Sequence, residues 1–133
     1  MTSRQQIRST VRALRQQLSP TIQQQAAVDL AARAAATPCF QNAQHIALYL
    51  TNDGELATDE LIQWCWQQGK TVYLPVLHPF AAGYLLFQRY TPHTLMHANR
   101  FGILEPKWQC HEQISPFALD IIATPLVAFD DAG

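Results

Sequence analysis

Two short apolar runs constrain this chain more than any other feature: His45-Ile-Ala-Leu-Tyr-Leu50 and Thr71-Val-Tyr-Leu74. Both read as buried strands. The first closes on the turn-rich Thr51-Asn-Asp-Gly54 and the second on Pro75. Between them Thr58 can cap a helix that carries Asp59 and Glu60 in its first turn, where the helix dipole favours negative charge. Gly69 is suited to stop that helix after Gln68. Strand, helix and strand on short links predict a right-handed parallel crossover, and so an α/β domain.

The flanks extend this frame. Ile7, Val11, Leu14 and Leu18 fall on one stripe of a helix over 4–18, with Arg4, Arg8, Arg12 and Arg15 on a second stripe beside it. Ser19 and Pro20 end this helix and open another over about 20–36, which Thr37-Pro38 stops. Residues 84–90 (YLLFQRY) read as a third strand, paired antiparallel with a neighbour, and 119–124 (LDIIAT) as a fourth. Pro92, Gly102, Pro106 and Pro116 argue against long elements over 91–118.

Composition narrows the functional classes. At 133 residues, 48% hydrophobic and 14% charged, the chain has material for one folded domain over 1–133. No apolar run reaches the roughly 18–20 residues of a membrane span, and the start lacks the apolar core of a secretory signal. Three widely spaced cysteines, Cys39, Cys65 and Cys110, do not form a disulfide framework, which points to a reducing cytoplasm. Cys65, between two tryptophans on the third helix, reads as core packing. The net charge of −1 argues against a nucleic-acid binder, although four arginines precede the first acidic residue, Asp29. The apolar segment at the end runs straight into FDDAG, so the sequence reads as one that stops short of a complete domain.

Ligands of open α/β sheets sit beyond the carboxyl ends of the strands, which here means the loop 50–55. A carboxylate there, Asp53 or Glu55, can accept two hydrogen bonds from a ring with adjacent N–H donors, as in a pterin or guanine. The same residues are equally at home as a plain turn with a solvated glutamate. The arginine stripe offers guanidinium forks to phosphate, or is simply a solvated helix face. His93, His97, Cys110 and His111 lack the spacing of a zinc site. The sequence has neither a Walker A loop nor GxGxxG, and no GxSxG.

Taken in order, the segments resemble the 5-formyltetrahydrofolate cyclo-ligase (5,10-methenyltetrahydrofolate synthetase) family. The likeness rests on the RxxxR of the first helix (Arg4 to Arg8), IALYLTNDGELAT (46–58), GKTVYLPVL (69–77), LLFQRY (85–90), RFGILEP (100–106) and LDIIATPLVAFDDAG (119–133). GELAT, FGILEP and PLVAFD are its most specific pieces.

The resemblance implies a three-layer α/β sandwich with a central, mostly parallel, Rossmann-like sheet. It implies an ATP- and Mg2+-dependent cytoplasmic ligase, monomeric when complete, that acts on a small folate with neither nucleic acid nor membrane as partner. In such chemistry the formyl oxygen attacks the γ-phosphate of ATP, N10 closes the ring, and phosphate leaves to give 5,10-methenyltetrahydrofolate. Arg4 and Arg8 match the family's basic pair on ATP, the first position often being lysine there. Leu50 and Glu55 match its folate contacts, with Tyr49 and Asn52 as neighbours. Glu105 and Pro106 belong to a family motif without an evident chemical role. In the family a glycine-rich stretch that wraps the ATP phosphates follows the segment ending here, and Asp130 would stand beside it. The expectation is therefore a cyclo-ligase lacking that loop, the alternatives being an inactive folate-binding remnant or a docking protein that uses the arginine helix.

Overall fold

The computed structural model describes residues 3–132. The sequence opens on two well-capped helices. In α1 (Arg4–Gln16) the Ser3 hydroxyl accepts the Gln6 N–H while the Gln6 side chain accepts the Ser3 N–H, a reciprocal capping box. In α2 (Pro20–Ala35) Ser19 accepts the Ile22 N–H, and Pro20 sits in the first turn, where no amide hydrogen is needed. The Pro38 expected to stop α2 also starts a short α3 (Pro38–Asn42), which the sequence reading did not foresee.

The crossover follows. β1 (His45–Ala47) pairs in parallel with β2 (Thr71–Leu77), with α4 (Asp59–Gln67) between them in sequence. Gly69 lies at φ +72° directly after this helix, a conformation that favours glycine. Two expectations need correction. The strand expected over 45–50 ends as β structure at Ala47, although the Leu48 N–H still reaches the Tyr73 carbonyl. Thr58 precedes α4 as expected but does not cap it. Its hydroxyl donates instead to the Tyr49 carbonyl, closing the loop between β1 and α4.

β3 (Leu85–Tyr90) runs antiparallel to β2, as its sequence suggested. Residues 91–118, which resisted assignment, contain a separate hairpin of β4 (Met96–Ala98) and β5 (Leu104–Pro106) and the short β6 (Gln113–Ile114). The strand expected over 119–124 is only β7 (Ile121–Ile122). The main sheet has the order β6-β3-β2-β1-β7. β1 is parallel to both its neighbours and β3 is antiparallel to both of its own. The α/β sandwich expected from the sequence is the architecture found, but its sheet is mixed rather than mostly parallel. The short link after β2 permits hairpin pairing with β3, and the longer stretch 91–112 between β3 and β6 is taken up by the β4–β5 hairpin and a short turn of helix rather than by a crossover helix.

α2 packs against α4, and together they cover the sheet face that carries Ile46, Leu48 and Val72. Ala34, Leu61, Ile62 and Cys65 complete this core. Burial pushes the Cys65 thiol up to about 11, consistent with a packing role rather than reactivity. Polar ties fix the margin of the sheet. Asp120 accepts the N–H groups of His45 and Gln44, both at 2.8 Å, which locks the start of β1 to β7. Those two bonds hold its carboxyl below the ordinary 3.8. Lys70 donates to the carbonyls of Ala43 and Gln41 at the end of α3. No helix among the described residues is long and apolar enough to cross a membrane.

Leu48 is 1% exposed and sits where β1 meets the helical layer. Leu48→Ala is expected to cost about 3 kcal/mol, the usual range for deleting a buried leucine. Chemical denaturation with an unchanged slope checks this.

Candidate functional site

The site begins where β1 ends. Beyond Ala47 the chain leaves the ladder, while β2 continues to Leu77. The gap beside the free length of β2 is taken up by the loop 49–55, by the turn of the β4–β5 hairpin and by Pro125. These enclose a cavity of about 270 Å³. Leu50 and Glu55, the two folate positions taken from the sequence, both line it, as do Tyr49 and Asn52. On the facing side stand Asn99, Phe101, Ile103, Leu104 and Glu105.

Glu55 is held from one side only. Its Oε1 accepts the Asn52 N–H at 3.0 Å, and its own N–H reaches the Asn52 carbonyl at 3.1 Å. Oε2 is thereby left available to a ligand in the cavity. The Tyr49 hydroxyl donates to the Leu56 carbonyl at 3.0 Å. Burial, with the nearby Glu55 carboxylate as a smaller cause, keeps its phenol above the ordinary 10.0, so it stays a proton donor. The arrangement is a partly apolar slot with one oriented carboxylate, suited to a flat ring carrying N–H groups.

Asp53 belongs to a different task. Its carboxylate faces α1: Arg12 Nε donates to Oδ2 at 2.7 Å, Arg15 Nη2 to the same oxygen at 3.1 Å, and Gln16 Nε2 to Oδ1 at 2.7 Å. The residue lies at φ +54°, in the left-handed region that aspartate tolerates better than most residues. Of the two carboxylates that the sequence offered for ring recognition, only Glu55 faces the cavity; Asp53 anchors the arginine helix to the loop.

That contact divides the arginine stripe. Arg12 and Arg15 are engaged by Asp53. Arg4 and Arg8 are exposed and have no acidic partner among the described residues. They line a second cavity of about 390 Å³ with Ile7 and the segment Pro125–Ala128. Pro125 lines both cavities, so the two adjoin.

Comparison with known proteins gives the family. The model of the 5-formyltetrahydrofolate cyclo-ligase family matches residues 1–133. This chain belongs to that family. It is 48% identical over 130 residues to the 5-formyltetrahydrofolate cyclo-ligase of Haemophilus influenzae, covering 98% of this chain and 70% of that protein. It is 44% identical over 123 residues to the enzyme of that name from Escherichia coli K12, covering 92% of this chain and 68% of the relative. Among solved structures, Aquifex aeolicus 5,10-methenyltetrahydrofolate synthetase superposes with a TM-score of 0.80 at 26% identity, covering 95% of this chain and 62% of that one. A synthetase from Mycoplasma pneumoniae shares the fold at a TM-score of 0.67 and 16% identity, covering 94% of this chain and 65% of that one. The chain thus spans less than two thirds of the solved cyclo-ligase chains.

The facing wall, Asn99 to Glu105, was not found as a site from the sequence. The signal was present in RFGILEP, which bears on the family likeness, but its proline and glycine concealed a short hairpin. Asp130 accepts the Ala132 N–H at 3.0 Å and is exposed. Among the described residues no three His, Cys, Asp or Glu side chains converge. The magnesium that the resemblance implies therefore has no site built from three such side chains; at nucleotide sites that ion is held by one or two carboxylates together with the phosphates.

The Arg12 hydrogen bond, more than any other cause, holds the Asp53 carboxyl below the ordinary 3.8. Its contribution to stability is complete above that value and is lost as pH falls through the lower folded value. Asp53→Ala is expected to lower the unfolding temperature near neutral pH, with the gap to the parent closing in acid. Thermal melts across a pH series check this.

Proposed function

We propose that the chain provides the folate pocket and part of the ATP site of a cyclo-ligase that converts 5-formyltetrahydrofolate to 5,10-methenyltetrahydrofolate with release of ADP and phosphate. Leu50 and Glu55 receive the folate head, and Arg4 and Arg8 receive the ATP phosphates. The observation that carries this reading is the adjacency of the two cavities at Pro125. Phosphoryl transfer needs the acceptor oxygen and the γ-phosphate side by side, and it depends mainly on positioning and charge neutralisation.

The residues have distinct tasks in this scheme. Glu55 Oε2 accepts N–H groups of the reduced pterin and so fixes the ring's orientation. Leu50, Phe101 and Ile103 cover the ring's faces and exclude water. A cavity of about 270 Å³ is slightly below the ~300 Å³ lower end for whole small ligands. It suits the bicyclic head, with the remainder of the folate extending outward. Arg4 and Arg8 are exposed cations with no acidic partner to displace among the described residues, and their forks match phosphate oxygens. We further propose that the enzyme works as a cytoplasmic monomer, in keeping with its unpaired cysteines.

Losing a charged hydrogen-bond partner costs about 1.5–3 kcal/mol, or roughly ten- to a hundredfold in affinity. Glu55→Ala is expected to weaken 5-formyltetrahydrofolate binding by that factor, and the Arg4→Ala/Arg8→Ala pair to weaken ATP binding while sparing the folate. Titration calorimetry on the chain reads both. Unchanged folate affinity in Glu55→Ala would remove the pocket assignment. Folate binding without any ATP binding would favour the folate-binding remnant instead.

A further inference from the structure

The hairpin that forms the far wall of the folate-side cavity stands outside the main sheet, and an isolated two-stranded hairpin is marginal in water. Its turn is internally braced: Asn99 Oδ1 accepts the N–H groups of Phe101 at 2.9 Å and Ile103 at 3.1 Å, and Gly102 takes φ +74°. What needs explaining is how this braced unit is held against the rest of the domain.

The edge of β2 supplies the answer. Thr71 donates its N–H toward the β1 side, to the Gln44 carbonyl, and the Tyr73 carbonyl accepts from Leu48 on that side too. With the alternation of a strand, residues 75 and 77 also address that side, beyond the point where β1 has ended. Position 75 is proline and has no N–H to satisfy. The Leu77 N–H is taken by Glu105 Oε2 at 3.2 Å. The same oxygen accepts from Asn99 Nδ2 at 3.3 Å, and Oε1 lies 3.3 Å from Nε2 of His97, its cross-strand partner. Glu105 is 7% exposed. A carboxylate so buried persists only when its oxygens are paired, and here the partners come from β2, from β4 and from the turn.

We propose that Glu105 is a positioning residue for the folate pocket. It substitutes for the missing strand beside Leu77 and fastens the hairpin there, so that Phe101, Ile103 and Leu104 stand opposite Leu50 and Glu55. Both of its oxygens are engaged by protein donors, so it acts on the ligand through the wall it holds and not by contact. This inference rests on reading the cavity as the folate site, and the two are tested separately.

The experiment compares the parent chain with Glu105→Ala, Glu105→Gln and Glu55→Ala. It measures 5-formyltetrahydrofolate affinity together with amide hydrogen exchange. In Glu105→Ala the amides of Leu77 and of residues 96–106 are expected to exchange about tenfold faster, while those of Ile46 and Val72 keep their protection. Folate affinity falls about tenfold in the same variant. Glu105→Gln retains an acceptor for Leu77 and Asn99 and can donate to a neutral His97, so it recovers most of both properties. Unchanged hairpin exchange in Glu105→Ala overturns the proposal, because the wall is then held by something else. Lost affinity with unchanged exchange also overturns it, since Glu105 would then be a direct contact. If Glu105→Ala does not fold, hairpin exchange in Glu105→Gln decides: parent-like protection supports the proposal, and loss of protection at the core as well as the hairpin overturns it. A parent chain that binds no folate refutes the pocket assignment, and hairpin exchange still decides the role of Glu105.

Discussion

The parallel pairing of β1 with β2 is the interaction on which the rest of the structure depends. It fixes Ile46, Leu48 and Val72 on one face, and α2 and α4 gain their packing surface from that face. Its unequal lengths matter as much as its existence. β1 stops at Ala47 and β2 runs on to Leu77, so a length of strand edge is left without a neighbour. An open edge is a liability in a folded protein. Here it is covered by the loop 49–55 and the β4–β5 hairpin, and the covering creates a cavity in the same place. The site is thus a consequence of a strand mismatch, lined by side chains from five separate stretches of chain.

Electrostatics then sort the charged residues by task. Asp53 and Glu55 are two positions apart in one tight loop, yet they face different partners. Asp53 neutralises Arg12 and Arg15 and binds Gln16, so the arginine helix is tethered to the loop that carries Glu55. The tether does not involve Arg4 and Arg8, which have no acidic partner among the described residues and lie along Pro125–Ala128. A single aspartate therefore links the position of a cationic surface to that of a carboxylate pocket. The pair Arg12–Asp53 is solvent-accessible, so its direct share in stability is modest. Its geometric effect on the site is larger.

Much of this was legible in the sequence because the signals are local. The caps Ser19 and Pro20, the stripe of Ile7, Val11 and Leu14, and the strands flanking α4 each follow from spacing and propensity. Topology pointed to the loop 50–55, since loops after parallel strands are where ligands bind, and the resemblance to Leu50 and Glu55 within it; both line the cavity. Three of the misses share one cause, which is that their determinants are distant in sequence. β1 ends early because its partner β7 offers only two residues. Asp53 stood open between ring recognition and a plain turn because its real partners lie about forty positions upstream. Glu105 had no evident role until Leu77, Asn99 and His97 were found around it. Long-range pairing of this kind leaves no periodic trace along a chain.

The central claim is that two adjoining cavities, joined at Pro125, hold the two reactants of one phosphoryl transfer. A crystal structure of the chain soaked with 5-formyltetrahydrofolate and a non-hydrolysable ATP analogue tests it most directly. The expected result is the pterin against Leu50 and Glu55, the phosphates against Arg4 and Arg8, and the formyl oxygen directed toward the phosphate chain past Pro125. A folate seated elsewhere, or phosphates bound on a face remote from Arg4 and Arg8, would contradict it.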